Sequence, residues 1–131
     1  MKGLVGTWRP VDQPASPLLI RFSLTAGGTV LVEEWRRSDR AHSLTVYHRD
    51  GAQLVATHYC PQGNQPRLSA TPQTGTTIGF VLRDATDLDA AKEAYLIALA
   101  FNLSSKETLV RRETYRHGTK DDTSELKLAR D

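Results

Sequence analysis

The amino-acid sequence predicts an all-β protein: a single up-and-down antiparallel β-barrel of eight to ten strands, with one short helix near residues 86–93. Thr, Val and Ile make up 25 of the 131 residues, a composition that favours strands. Short segments of alternating apolar and polar residues recur along the chain between turn residues. No long crossover connection separates these segments, which favours sequential hairpins, and closure of the sheet removes its exposed edges.

Ten predicted strands follow one another in the sequence. They span residues 3–8, 18–24, 29–37, 41–48, 53–60, 66–71, 77–83, 95–102, 107–116 and 123–129. Residues 10–17 hold three prolines and are predicted to form a loop, because proline cannot donate to a central sheet. Gly27-Gly28 and Asp50-Gly51 are typical of tight hairpin turns. Residues 84–93 offer capping residues followed by Ala-rich helix formers, which predict one or two helical turns at an end of the sheet.

Length, charge and cysteine content restrict the class of protein. A chain of 131 residues is expected to form one domain over residues 1–131. Seventeen basic against fifteen acidic side chains are too balanced to indicate a nucleic-acid partner. We expect no membrane partner, since no apolar run is long enough for a transmembrane helix or a signal peptide. A single cysteine, Cys60, excludes an internal disulfide framework and favours a cytoplasmic location. A homodimer is left open.

Several segments resemble a known superfamily. Gly6-Thr7-Trp8, on the first strand, resembles the G-x-W signature of the calycins, the lipocalin and fatty-acid-binding superfamily. Residues 44–51, followed by residues 57–67 and 80–88, look like a group of bacterial lipocalin-like proteins of uncharacterised function. The resemblance implies a barrel with a central cavity, in which Trp8 packs across one end under an arginine from a late strand. Candidates for that arginine are Arg111, Arg112 and Arg116.

The alternation within the strands suggests what lines the barrel. Leu31, Glu33 and Trp35 share one face of the third predicted strand. An inward carboxylate costs several kcal/mol unless it is paired, so an inward Glu33 is expected to meet Arg67 or Arg111, or to serve a ligand. The alternative places Glu33 outward, with the valines of the same strand inside. Neither face is purely apolar, which is typical of a cavity with a few polar anchors.

The densest polar cluster runs from His58 to Arg67, and a strand end followed by a tight turn predicts that it converges at one barrel mouth. His58 suits a general base or a hydrogen-bond anchor, although a locally satisfied histidine is the more ordinary interpretation. Arg67 suits a clamp for a ligand carboxylate or, equally, an ion pair with Glu33 or Glu34. The predicted ligand-binding residues are Glu33, Trp35, Tyr47, His58, Tyr59, Asn64, Arg67 and Arg111.

These residues favour binding of a small, partly apolar ligand in the barrel, one that bears an acid or carbonyl group. Two alternatives stay open: a small-molecule enzyme of the isomerase, cyclase or hydratase type that uses His58 or Glu33 as its acid or base, and a packed barrel that acts as an interaction subunit. Cys60 is interpreted as a structural thiol. The four histidines lack metal-ligand spacing, so no metal or cofactor is predicted.

Overall fold

The computed structural model describes all 131 residues and contains ten β-strands. Their bounds are β1 Gly6–Pro10, β2 Leu18–Thr25, β3 Val30–Arg37, β4 Arg40–Asp50, β5 Gln53–Tyr59, β6 Gln65–Ala70, β7 Thr77–Thr86, β8 Tyr95–Asn102, β9 Thr108–His117 and β10 Lys120–Arg130. Single 3-10 turns form at Lys2–Leu4 and Ala26–Gly28. No helix in the structure has the length and apolar character needed to cross a membrane.

Each strand pairs antiparallel with the next one along the chain, and β1 pairs with β10, where Trp8 lies opposite Arg130. The sheet is therefore a closed up-and-down barrel, and the predicted fold class is confirmed. One end, here called the N-terminal end, carries residues 1–5 and the β2–β3, β4–β5, β6–β7 and β8–β9 connections. The opposite end, here called the far end, carries the other five connections.

The predicted helix near residues 86–93 is wrong. Strand β7 continues to Thr86, because its pairing with β6 extends as far as the Gln65–Thr86 pair. Asp87 then takes a left-handed backbone conformation with φ of +50°, which interrupts any helix. A single turn follows, in which the Glu93 amide donates to the Asp89 carbonyl at 2.9 Å. Residues 84–86, which were expected to begin the helix, are therefore part of strand β7.

The waist of the barrel is filled by aromatic side chains. Phe22, Tyr47, Phe80 and Phe101 are at most 1% exposed. Tyr47 lies 5.5 Å from Phe80 and 6.0 Å from Phe101, measured between ring centroids. Phe22 meets Phe101 edge to face at 6.0 Å. Leucines on six strands pack around these rings, so the open space of the barrel lies towards its ends.

Trp8 closes the N-terminal end, and its arginine partner is Arg130. The Arg130 guanidinium carbon lies 4.4 Å from the centroid of the Trp8 ring. Arg130 also donates hydrogen bonds to the carbonyls of Gly3, Val5 and Lys106. The stack expected from the resemblance is present, but β10, the last strand, supplies the arginine. The three expected candidates lie elsewhere: Arg111 points into the barrel, while Arg112 and Arg116 form exposed ion pairs with Glu125 and Asp121.

The glycine of the same sequence motif is required by this stack. Gly6 has φ of +136°, a conformation that side-chain-bearing residues rarely adopt. A Cβ atom at this position would collide with the Arg130 guanidinium. Gly6 therefore lets the arginine cross the start of β1 and reach the indole.

Candidate functional site

A carboxylate lies inside the barrel at the level of the waist. Glu33 is fully buried on β3, between Phe22 of β2 and Thr45 of β4. Its Oε1 accepts hydrogen bonds from Trp35 Nε1 at 2.6 Å and from Arg111 Nε at 2.8 Å. Its Oε2 accepts the hydroxyl hydrogen of Tyr47. Both oxygens of Glu33 are thus occupied by protein donors. Glu33 faces inward as expected, and of the partners left open for it the structure shows Arg111.

Arg111 reaches this carboxylate from the other side of the barrel. It is 1% exposed, and its Nη1 also pairs with the Glu113 carboxylate, two residues further along β9. Its guanidinium carbon lies 4.6 Å from the centroid of the Trp35 ring. Burial by itself would lower the pKa of Arg111, but the Glu33 and Glu113 carboxylates outweigh that effect and raise it. The guanidinium therefore stays charged, as a buried charge with partners can.

Tyr47 connects this ion pair to the N-terminal end of the barrel. Burial raises the pKa of its phenol well above the usual value, and the neighbouring Glu33 carboxylate adds to the effect. Tyr47 is consequently a neutral hydrogen-bond donor and not a source of phenolate at neutral pH.

His58 occupies a separate position on the same inner surface. Its Nδ1 lies 2.9 Å from Thr45 Oγ1, and its Nε2 lies 3.2 Å from the Tyr115 hydroxyl. Burial lowers the pKa of the imidazole to about 4, and the Arg111 charge contributes in the same direction. Burial also raises the pKa of Tyr115, with help from Glu113. His58 is therefore neutral at pH 7, and both of its ring nitrogens have protein partners.

The hydrogen bonds of Glu33 and His58 determine whether either residue can act as a general acid or base. A general base needs a lone pair aimed at the substrate. Both carboxylate oxygens of Glu33 accept hydrogen bonds from protein donors, and both ring nitrogens of His58 are hydrogen-bonded to hydroxyl groups. Neither residue points a free acid or base at open space, so the geometry favours a structural or binding role for them over proton transfer.

The predicted cluster from His58 to Arg67 does not converge. Tyr59 is 47% exposed, on the opposite face of β5 from His58. Arg67 lies on the outer surface, where its Nε donates to Asp84 Oδ1 at 2.6 Å. It meets neither Glu33 nor Glu34, and the expected ion pair with them is wrong. The reason is register: residues 57, 59 and 67 share the outer face, whereas His58 faces inward.

Asn64 is fully buried at the far end of the barrel. Its side-chain nitrogen donates to the Ala94 carbonyl at 3.2 Å, and its Oδ1 has no protein donor. Asn64 thereby ties the β5–β6 turn to the β7–β8 connection. The neighbouring Cys60 is half-buried, and burial raises the pKa of its thiol, so the thiol is protonated at neutral pH.

The N-terminal end of the barrel is open as a cleft of about 890 Å³. Its floor includes Leu31, Tyr47 and Leu54, and the basic side chains Lys2 and Arg49 also line it. The remaining lining residues are Met1, Leu24, Gly28, Thr29, Val30 and His48. Of the residues predicted to bind a ligand, only Tyr47 lines this cleft. No group of three or more His, Cys, Asp or Glu side chains is placed to hold a metal ion.

Sequence reasoning missed several residues of these two regions. Glu113 and Tyr115 share a face of β9 with Arg111, so the alternation of residues along this strand was enough to predict that they lie beside Arg111. Thr45 likewise shares a face of β4 with Tyr47. Lys2 and Arg49 gave no signal, because their place in the cleft depends on how separate connections meet at one end of the barrel.

The fold and these regions define a closed ten-stranded β-barrel with a packed aromatic waist, a buried ion-pair network and an apolar cleft at one end. Comparison with family models and with curated proteins found no match for this chain.

Proposed function

We propose that this protein is a calycin-like binding protein that holds a small, partly apolar ligand in the cleft at the N-terminal end of its barrel. The observation that carries the proposal is the cleft itself, which opens between the Lys2–Leu4 turn and the β2–β3 and β4–β5 strands. The calycin assignment is supported by the closed meander and by the Trp8–Arg130 stack beside Gly6. Because a single unpaired cysteine such as Cys60 is typical of proteins in the reducing cytoplasm, we propose that the ligand is a cytoplasmic molecule.

The size and lining of the cleft suit an amphipathic molecule. A volume of about 890 Å³ falls in the range of sites for small ligands. Six of its eleven lining residues are hydrophobic, so an apolar chain gains free energy by leaving water there. The floor is closed by Tyr47, whose hydroxyl is already committed to Glu33. The apolar part of the ligand therefore points inward.

The charges of the cleft favour an acid head group. Lys2 and Arg49 line it, and none of the eleven lining residues is Asp or Glu. A carboxylate at the mouth of the cleft can pair with either cation while it stays partly hydrated. The packed waist excludes a long chain that would run through the barrel. The proposed ligand class is thus a short amphipathic acid.

Titration with three eight-carbon probes, octanoate, octan-1-ol and octylamine, tests this proposal by calorimetry and by NMR shifts of cleft amides. We expect octanoate to bind most tightly, with shifts centred on Leu24, Val30 and Leu54. The double substitution Lys2→Gln and Arg49→Gln should remove the advantage of octanoate over octanol, about tenfold or more. Arg21→Gln, an exposed change on β2, is the matched control and should leave all three affinities unaltered.

Two results would overturn the proposal. One is the absence of binding by all three probes at about 1 mM, which would favour a packed barrel that serves as an interaction subunit. The other is an unchanged preference for octanoate in the Lys2 and Arg49 double variant, which would place the acid elsewhere.

A further inference from the structure

The charges inside the barrel do not balance. Glu33 and Glu113 both contact Arg111, which is the only cation within ion-pair distance of either carboxylate. Two carboxylates and one guanidinium leave one negative charge in excess. A partly buried carboxylate without a full complement of partners is unfavourable, so this excess charge favours a positively charged partner.

The excess charge lies on Glu113 and not on Glu33. Glu33 is fully buried, with three protein donors on its two oxygens. Glu113 engages Arg111 through Oε2 alone, and no protein group donates to its Oε1. Its side chain keeps 20% of its exposure. Glu113 therefore presents a free carboxylate oxygen to solvent from a mostly enclosed position.

The barrel is open beside this oxygen. Ser124 of β10 is the pairing partner of Glu113 and lies on the same face of its strand as the fully buried Leu128. Ser124 is nevertheless exposed. The inner surface of β9 and β10 thus becomes accessible to solvent at the level of Glu113, on the side of the far end.

Two aromatic rings lie near this ion pair: Trp35 contacts Arg111, the partner of Glu113, and Tyr115 shares a face of β9 with Glu113. Trp35 and Tyr115 are both half-buried against the core. Trp35 already lies over the Arg111 guanidinium, which shows that its ring faces the charged groups. Tyr115 lies two residues beyond Glu113 on the same face of β9, with its hydroxyl at His58. A carboxylate beside aromatic rings is the usual surrounding of an organic ammonium ion.

We propose that the far end of the barrel contains a second binding site, centred on Glu113, Trp35 and Tyr115, for a small organic cation such as a primary ammonium on an apolar group. The ammonium donates to the free Oε1 of Glu113, and its apolar group lies against the two rings. This site is separate from the N-terminal cleft and has the opposite charge preference, so its existence does not depend on the cleft.

Benzylamine, benzyl alcohol and benzoate are suitable probes, because they share one ring and differ in the charge of the head group. We expect benzylamine to bind most tightly and to shift the NMR signals of Trp35, Glu113 and Tyr115. Glu113→Gln should weaken benzylamine at least about tenfold. Glu125→Gln, the same change on the outer face of the adjacent strand, should leave its affinity unaltered.

A second variant keeps the test decisive if Glu113→Gln fails to fold. Ser124→Lys places a tethered ammonium opposite Glu113 and should abolish benzylamine binding without removing the carboxylate. Equal affinity for benzoate, unchanged binding in both variants, or shifts confined to Leu24, Val30 and Leu54 of the cleft would overturn the proposal. These shifts also distinguish failure of this site from failure of the N-terminal site.

Discussion

Glu33 and Arg111 are 78 positions apart in the sequence and meet inside the barrel, where Arg111 Nε lies 2.8 Å from Glu33 Oε1. Both side chains are at most 1% exposed. A buried pair of this kind contributes little net stability compared with apolar packing, but loss of one partner leaves an uncompensated buried charge. The ion pair therefore couples β3 and β9, because a change in either side chain alters the stability of the other inside the barrel.

Glu33→Gln should destabilise the protein by about 1–2 kcal/mol, because it weakens the charge-assisted hydrogen bonds from Trp35, Tyr47 and Arg111, while Arg111 keeps Glu113 as an anionic partner. Arg111→Met should be at least as harmful, since it leaves two carboxylates without a cation. The combined variant is expected to be less destabilised than the sum of the two single changes. Urea unfolding of the four proteins gives the coupling energy. Strict additivity of the two changes would contradict a direct interaction.

Gly6→Ala should be destabilised by more than about 1 kcal/mol, because its backbone conformation is strained for alanine and its Cβ would displace Arg130. Arg130→Lys should also lower the free energy of unfolding, since an ammonium cannot hold three carbonyls and the indole face together. Thermal unfolding monitored by tryptophan fluorescence compares both variants with Gly75→Ala, which also has a positive φ, of +56°, but whose added methyl meets open space, so this control isolates the loss of the arginine contact from backbone strain. Losses no larger than in that control would show that the Trp8–Arg130 stack is dispensable.

The stability of the protein should fall as the pH drops from about 6.5 to about 4. His58 has a pKa of about 4 in the folded protein and about 6.5 in an unfolded chain. Over this interval the unfolded chain binds the proton and the folded chain does not, so acid favours unfolding. The contribution of His58 is fully present above pH 6.5 and reaches about 3 kcal/mol.

Unfolding measured at several pH values checks this expectation, with His58→Gln as the comparison. The variant should show a shallower fall in the free energy of unfolding between pH 6.5 and pH 4. An NMR titration that places the His58 imidazole near pH 6.5 in the folded state would refute the assignment.

Arg67→Ala should leave the free energy of unfolding almost unchanged, because its ion pair with Asp84 is exposed to solvent. It should also leave octanoate binding unchanged, since Arg67 lies on the outer surface. Parallel unfolding and calorimetric titration of Arg67→Ala and wild type test both points. Weaker octanoate binding in the variant would restore Arg67 as a ligand clamp and contradict the geometry.

The sequence by itself determined the class of fold. Short alternating segments between turn residues suffice to predict ten strands and a meander, because side-chain period and turn chemistry are local properties. The same alternation placed Leu31, Glu33 and Trp35 on one face and favoured Glu33 inside. The helix predicted near residues 86–93 does not form, because the pairing of β7 with β6 overrides the local capping signal.

Only the tertiary structure decided which distant residues meet. Whether Glu33 pairs with Arg67 or Arg111 depends on register, and one residue of register sends Arg67 to the outer surface. The same is true of Arg130, which reaches Trp8 because β10 closes the barrel against β1. The cleft has no sequence signature either, since it forms where the N-terminal turn and two hairpins assemble at one end. Closure of a sheet is a global property, and these sites depend on it.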